Sequence, residues 1–438
     1  MKREKSRMGD ITAPPKLGRA ARGAFEVREE EGPPVEQTRP EKQKPAPRRA
    51  TAGTLSGYYI GIQSGTSMDG ADVALVAISG DSELSDIRLV DYKTFSYPKE
   101  MRDDLRLLSH LYALPENTPA RKAIDLERMN VHMRLGDFFA DSILELMRES
   151  GVERENIHAI GSHGQTVWHA PPRLTVQIGA PELIAKRTGI VTIADFRVSD
   201  LKEGGQGAPL VPLLDFHLCR HPRNARMLVN IGGICNITYL PAGCEKKDII
   251  GFDVGPGNCL IDRFVFEGFG HSIGYDPNGV LAATGKVNET LLRNMMEFPY
   301  FGRAYPKSAD THTFDPLYAI ALDSQKKEKI PKAHLLATFT CLTAFALGRA
   351  VRELLPNRPR SVHLTGGGTQ NATLIAFIEA VLSPIKVIIG LPVLLGGKAK
   401  EAVLFALLAH HHLHGIPGNL PRVTGAKKAV VLGTRFDP

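Results

Sequence analysis

Hydrophobic and polar positions along the 438 residues change rhythm in a way that marks out elements. Residues 1–57 show almost no apolar periodicity. At Tyr58 a strand pattern begins, Tyr58 to Ile62, followed by a turn of Gly, Ser, Thr and Asp and a second strand pattern, Asp72 to Ile78. This predicts a β-hairpin that opens a domain. A third strand is predicted at Ile87 to Phe95, and helical spacing dominates Glu100 to Glu149. Strands at Ile157 to Gly161 and Ile190 to Ala194 bracket a short helix, Pro181 to Thr188. Then the order restarts. Arg226 to Leu240 reads as strand, glycine turn and strand, with a third strand at Ile249 to Val254. Helices are predicted at Val287 to Glu297, Lys332 to Leu355 and Lys400 to His414, and a strand at Ser361 to Leu364 runs into three glycines.

Two successive mixed α/β units, each opened by a hairpin with a polar glycine turn, predict an α/β chain of two duplicated lobes facing across a cleft. The expected boundaries are a disordered charged extension at 1–57, a first lobe at 58–215 and a second at 216–438, with a C-terminal helix free to return to the first. A chain of this length exceeds one hydrophobic core, which agrees. Charge matters through its placement. Residues 1–57 hold 13 Lys and Arg against 8 Asp and Glu, leaving 41 against 39, so the net +7 is no sign of a polyanion-binding surface on the folded part. The extension is nearly free of aromatic residues and its charges are mixed, so no nucleic-acid partner is expected. No uninterrupted apolar run reaches the ~20 residues of a bilayer span, and no apolar segment follows the charged N-terminus. Five cysteines without a Cys-x-x-Cys pair read as reduced thiols. These features predict a cytoplasmic chain without a membrane partner. Organellar targeting by the extension stays open.

The first hairpin turn holds Gly65, Thr66, Ser67, Met68, Asp69, Gly70, Ala71 and Asp72, small and polar residues where backbone amides approach a ligand closely. Thr66 and Ser67 suit phosphate oxygens. Asp69 and Asp72 repel a bare phosphate, so a nucleotide reading needs Mg2+ between them and the phosphates, with Asp69 as the metal candidate. Turns also favour Gly and Asp for conformational reasons alone. Neither a P-loop nor a dinucleotide glycine fingerprint is present. Gly232 and Gly233, at the second hairpin, and Gly366, Gly367 and Gly368, at a strand end, are further phosphate candidates. Three such clusters at strand ends point to ATP held between lobes.

Asp195 closes an apolar strand, where a carboxylate can accept a proton from an attacking hydroxyl or water. Its alternative is an N-cap for the segment that follows. Asp200 is a second candidate base. His163, Gln165 and Thr166 end another strand with groups able to read sugar hydroxyls, though a satisfied loop histidine fits as well. Trp168 offers a sugar-stacking face or a core side chain. His410 and His414 share a helical face, but no third ligand is evident, and a helix C-terminus favours histidine anyway.

Taken together, Ser64 to Gly70, Gly161 to Thr166, Ala194 to Arg197, Gly204 to Leu210, Asn230 to Gly233 and Pro417 to Pro421 resemble the anhydro-N-acetylmuramic acid kinases, over a span from about Tyr58 to the C-terminus. The resemblance implies a two-lobed actin-like ATPase fold, usually a homodimer, with ATP and a small sugar as ligands. The implied reaction phosphorylates the 6-oxygen of 1,6-anhydro-N-acetylmuramic acid while water opens the anhydro ring, giving N-acetylmuramic acid 6-phosphate and ADP in peptidoglycan amino-sugar recycling. It further implies that Asp195 deprotonates the water, that Gly65 to Asp72 meet phosphates and Mg2+, that Gly366 to Gly368 meet the nucleotide, and that Glu401 joins His163, Gln165 and Thr166 at the sugar.

This chain departs from the family pattern in three places. Ala309-Asp310-Thr311-His312 follows Lys307-Ser308 where Thr-Gly-Arg-Glu is frequent, Lys398-Ala399-Lys400 precedes Glu401 where an acidic residue is usual, and Ala180 stands where Asp is common. The competing readings are a non-catalytic sugar sensor or scaffold on the same fold and a kinase of another amino sugar. An actin-like chaperone would need a peptide-binding domain for which no sequence is spare.

Overall fold

Strands β1 (Ser56–Ser64), β2 (Gly70–Ser79) and β3 (Asp86–Ser96) form an antiparallel meander. The near-continuous apolar runs of β1 and β2 follow from burial on both faces, whereas β3, at the sheet edge, has no fully buried position. Ile60, Ile62, Val73 and Leu75 join one core, whereas Tyr59, Ala74 and Val76 on the alternate positions join another. The structure is a computed structural model that describes residues 56–65, 68–80, 85–115, 118, 124–171, 173–270, 274–392 and 399–438. Residues 1–55 of the expected extension, Thr66, Ser67 and Lys398 therefore lie outside the described residues, while Ser56 and Gly57, expected in the extension, begin β1.

Helices α1 (Lys99–Ala113) and α2 (Ile124–Ser150) cover the first face. Strand β4 (Ile157–Ala170) lies parallel to β1, β5 (Leu174–Ile178) pairs with β4, and after α3 (Pro181–Thr188) strand β6 (Thr192–Ala194) lies parallel to β4. Helices α4 (Phe196–Lys202) and α5 (Val211–Cys219) lead to a second sheet. There β7 (Arg226–Ile231), β8 (Ile234–Leu240) and β9 (Ile250–Pro256) form an antiparallel meander. Helices α6 (Cys259–Phe269), α7 (Glu289–Met296), α8 (Asp315–Glu328) and α9 (Lys332–Arg349) follow. Strand β10 (Ser361–Thr365) then pairs parallel with β7, and after α10 (Ala372–Leu382) strand β11 (Lys386–Ile389) pairs parallel with β10. Helix α11 (Ala399–Leu413) packs on β1, β2 and β4, and β12 (Thr434–Phe436) closes the first sheet against β6.

The core order is thus β3-β2-β1-β4-β6 in one sheet and β9-β8-β7-β10-β11 in the other. Each is a three-strand meander extended by two parallel strands on the side of its first strand. This repetition of one connectivity is the duplicated ribonuclease-H-like topology of actin-like ATPases. Helix α9 with its continuation to Leu354 is the one described segment long and apolar enough to cross a bilayer, and it is mostly buried in the core of the second sheet.

Most predicted elements appear within a few residues of their expected bounds. Four differences stand out. The strand expected at Ile190 to Ala194 spans only Thr192–Ala194, although the Val191 carbonyl already accepts from Ile160 N–H, and the helix expected to reach Leu355 leaves the α-form after Arg349 for a π-turn, Ala350–Leu354. Helices α5 and α10 carried no helical period in the sequence because apolar residues fall on most of their sides. Strand β12 is three residues long and exists through its pairing with β6.

Candidate active site

The two sheets enclose a cavity of about 1020 Å³, at the upper end of the ~300–1,000 Å³ usual for small-molecule sites. The first hairpin contributes Gly65, Asp69, Gly70 and Asp72 to its wall, and the β10 end contributes Gly366 and Gly367. Gly366 has φ 88°, and a Cβ there would lie 2.6 Å from the Ile231 carbonyl oxygen, so only glycine lets the β10 loop reach the second hairpin. Gly232, Gly233 and Gly368 stand back from the cavity. The Gly232 and Gly233 carbonyls accept from the backbone N–H groups of Gly257, Asn258 and Cys259, which ties the second hairpin to the start of α6. Met68 is likewise off the wall, at φ 53° in the turn, with its N–H on the Gly65 carbonyl. Ala71 is fully buried in the core.

Asp69 is exposed at the cavity, and the Asp72 Oδ1 accepts from Tyr92 Oη and Thr94 Oγ1, each at 2.6 Å. Asp72 Oδ2 makes no hydrogen bond with a described residue. These oxygens suit Mg2+, a hard cation that takes one or two carboxylates and completes its shell with water and phosphate. Gln165, expected at the sugar, is wholly buried. Ser64 Oγ donates to its Oε1 at 2.5 Å, and its Nε2 donates to the Gly65 and Thr166 carbonyls, so it braces the hairpin from beneath. Thr166 faces β5, where its Oγ1 accepts from Gln177 Nε2.

His163 lines this cavity and also a smaller one of about 120 Å³. Its Nε2 accepts from Arg197 Nε at 3.0 Å, and its ring stacks on Phe405 at 4.6 Å. Burial, with Arg197 adding to it, holds the imidazole pKa well below its ordinary value, so the ring is neutral. Burial lowers Arg197 as well, to about 10. Glu401 lines the large cavity, remains accessible there and accepts from Gln63 Nε2. Lys400 forms a 2.6 Å ion pair with the buried Asp215, which also accepts from Thr238 Oγ1. Nothing in the local sequence pairs Lys400 with Asp215.

Asp195 lines the smaller cavity together with His132, His163 and Glu182. It occupies the N-cap position of α4 at φ 57°, ψ 34°, a left-handed conformation that is costly for a residue with a Cβ. Yet its side chain makes no capping bond and no hydrogen bond with any described residue. Burial raises its pKa above the usual carboxylate range. Asp200 contrasts with it. That fully buried carboxylate accepts from Gly207 N–H, Asn419 Nδ2 and Thr424 Oγ1 at 2.7–2.8 Å and holds the Gly204–Pro209 loop. Trp168 stacks on Tyr112 beside the outer core, and the rings of His410 and His414 lie tilted to each other, 4.4 Å apart, within reach of Tyr59.

Of the departing segments, Ala180 adopts φ 36° at the N-cap of α3 without a capping side chain. Asp310 caps the turn Thr311–Phe314, and Ser308 Oγ donates to Gln206 in the Gly204–Pro209 loop. Neither borders the large cavity.

Duplicated sheets, glycine turns on both sides of a cleft and acidic residues at its mouth define the chain as an actin-like ATPase of the kinase type. It belongs to the anhydro-N-acetylmuramic acid kinase family, whose model matches residues 57–438. The anhydro-N-acetylmuramic acid kinase of Caldanaerobacter subterraneus subsp. tengcongensis is 38% identical over 386 residues, covering 85% of this chain and 95% of its own length. That of Gloeobacter violaceus is 40% identical over 379 residues, covering 85% and 97%. A ROK hexokinase structure from Thermus thermophilus covers 80% of this chain and 98% of its own at 15% identity and a TM-score of 0.33, too distant to add to the strand order.

Proposed function

We propose that the chain uses ATP to phosphorylate the 6-oxygen of 1,6-anhydro-N-acetylmuramic acid while water opens the anhydro ring, giving N-acetylmuramic acid 6-phosphate and ADP. The observation that carries the site assignment is Asp195. A strained, half-buried carboxylate with no hydrogen-bond partner among the described residues faces a pocket that shares His163 with the phosphate-lined cavity. Strain without a structural return is a mark of function.

In this reading the phosphates lie against Gly65, Gly70, Gly366 and Gly367, and the sugar spans from the large cavity past His163 to Asp195. Asp69 and Asp72 would hold Mg2+, which would supply the positive charge that offsets the repulsion between those carboxylates and the phosphates. Asp195 takes a proton from water as the water oxygen bonds to the anomeric carbon. The bond from that carbon to the 6-oxygen breaks, and the 6-oxygen bonds to the γ-phosphorus as ADP departs. Glu401, fixed by Gln63, orients a sugar hydroxyl or the water. Segments 58–215 and 216–438 act as the lobes that close on the ligands, with α11 returning to the first. Homodimerisation and a cytoplasmic setting are proposed on family membership alone, and a measured solution mass tests the former.

The deciding experiment follows ADP release and product mass with the anhydro-sugar in ¹⁸O-labelled water. The wild type is expected to place one ¹⁸O at the anomeric position, and Asp195→Asn to be slower by roughly 10²–10⁴-fold, the usual contribution of a general base. Phosphorylation with the ring left intact, or undiminished turnover in Asp195→Asn, would overturn the assignment.

A further inference from the structure

We infer that Arg197 determines specificity by taking the lactyl carboxylate of the sugar, so that the site selects an anhydro-muramic acid over an anhydro-sugar without the acid group; this rests on the anhydro-sugar being the substrate. The need for such a residue comes from charge. Muramic acid carries a carboxylate on its lactyl ether, and the large cavity is lined by Asp69, Asp72 and Glu401, which repel an anionic sugar at short range. Lys400 lines the cavity too, but its charge is taken up by Asp215 at 2.6 Å. Two lining cations remain, Arg102 and Arg197, and neither forms an ion pair with a described residue.

Of the two, Arg197 is the one held in place. Its Nε donates to His163 Nε2 at 3.0 Å and its Nη1 to the Gly207 carbonyl at 2.7 Å, and His163 is itself backed by the Phe405 ring. Two anchors fix the plane of the guanidinium, while Nη2, with both its N–H groups, meets no acceptor among the described residues. Arg102, on α1, has no side-chain hydrogen bond to a described residue, so nothing there orients its guanidinium. A purely structural role does not account for the charge of Arg197. Asp200 already holds the Gly204–Pro209 loop through Gly207 N–H and is satisfied by Asn419 and Thr424, and Glu401 is engaged by Gln63. A guanidinium drawn out of water without a close carboxylate is costly, and an incoming carboxylate offsets that cost through charge-assisted hydrogen bonds. Its anchors also say which anion it meets. His163 lines both cavities and so stands where the sugar passes towards Asp195, whereas the glycines assigned to the phosphates lie on the first hairpin and at the end of β10.

The test compares 1,6-anhydro-N-acetylmuramic acid with its lactamide, similar in shape but uncharged, by kcat/KM for sugar-dependent ADP release in the wild type, Arg197→Gln, Arg197→Lys and Arg102→Gln. The wild type is expected to favour the acid by roughly 10–100-fold, the worth of hydrogen bonds to a charged group. In Arg197→Gln that preference is expected to fall to about threefold or less, in Arg197→Lys to an intermediate value, and in Arg102→Gln to stay as in the wild type. Should Arg197→Gln not fold, Arg197→Lys decides, because a point charge in place of the planar fork is expected to lose at least about threefold of the preference. A structural role for Arg197, or a role at the γ-phosphoryl group, slows both sugars by the same factor and leaves the preference in place, and that result overturns the inference. So does a wild type that uses acid and amide equally, a result that depends on no variant. If neither sugar stimulates ADP release, it is the proposed substrate that has failed, and the specificity assigned to Arg197 falls with it.

Discussion

Two aspartates five residues apart show how environment separates chemistry from architecture. Sequence offered both Asp195 and Asp200 as bases, since each follows the same apolar strand. Asp200 is settled by Asn419 and Thr424, more than 200 residues away, and no local pattern announces such partners. Asparagine at 200 would turn an amide N–H₂ towards donors that now meet carboxylate oxygens. Asp200→Asn is therefore expected to destabilise the fold by roughly 2–4 kcal/mol in chemical denaturation. Asp195→Asn should behave in the opposite sense. It removes a half-buried charge with no partner among the described residues and places at φ 57° a residue that tolerates left-handed backbone well, so its midpoint should equal or exceed that of the wild type. If Asp195→Asn unfolds at clearly lower denaturant, the carboxylate has a structural role that the hydrogen-bond pattern does not display.

At the scale of elements, hairpins and glycine turns were legible because strand period and turn chemistry are local. Contacts across the fold were not. Gln165 looked like a sugar ligand from its motif, yet it lies under the first hairpin because β4 pairs with β1 one residue beyond a register shift. Helix α11 was legible as a helix, but its seat on the first sheet depends on two glycines that carry no such signal. A Cβ on Gly61 would lie 1.7 Å from the Ala402 carbonyl oxygen, and one on Gly161 2.0 Å from that of Phe405. Backbone on both sides cannot yield locally, so either alanine must push the helix off the sheet. Val403, Leu404, Phe405, Leu407 and Leu408 are buried there, each contributing about 1.5–3 kcal/mol. Gly161→Ala is expected to lower stability by at least ~2 kcal/mol and to reduce turnover, because α11 carries Glu401 and the Phe405 ring that backs His163. A Gly161→Ala protein with wild-type melting and kinetics would show that the packing is less tight than these distances require.

Taken as a whole, the molecule buries histidines in both halves, and this decides how it meets acid. The duplicated strand order was visible as a repeat in the sequence, but burial of individual imidazoles was not, since histidine sits equally well on a surface. Burial lowers His217 to about 3 and His411 to about 2, and keeps His163 well below its ordinary value. Each stays neutral in the folded state while the unfolded chain takes up a proton near pH 6.5. Below that pH the unfolded state binds more protons, so each histidine costs roughly 1.4 kcal/mol of stability per pH unit until its folded pKa is reached. Asp253 and Asp262, raised to about 6 by burial, act oppositely, because the folded state binds their protons first and gains stability as pH falls from about 6 towards 4. The upward shifts of Asp195 and Glu401 and the downward shifts of His158 and His363 act in opposite senses. The three buried histidines outweigh the two aspartates and leave a net loss on the order of 5 kcal/mol between pH 6.5 and 4, to which the more exposed His169, lowered to about 4 by burial, adds. The melting temperature is thus expected to fall from pH 7 to pH 5, the fall setting in below about pH 6.5. In His411→Leu one proton-binding difference is gone, so the same titration should be shallower by about 1.4 kcal/mol per unit whatever the variant's stability at pH 7. A wild-type stability that is flat or rising towards pH 5 would mean that these imidazoles take up protons within the folded protein.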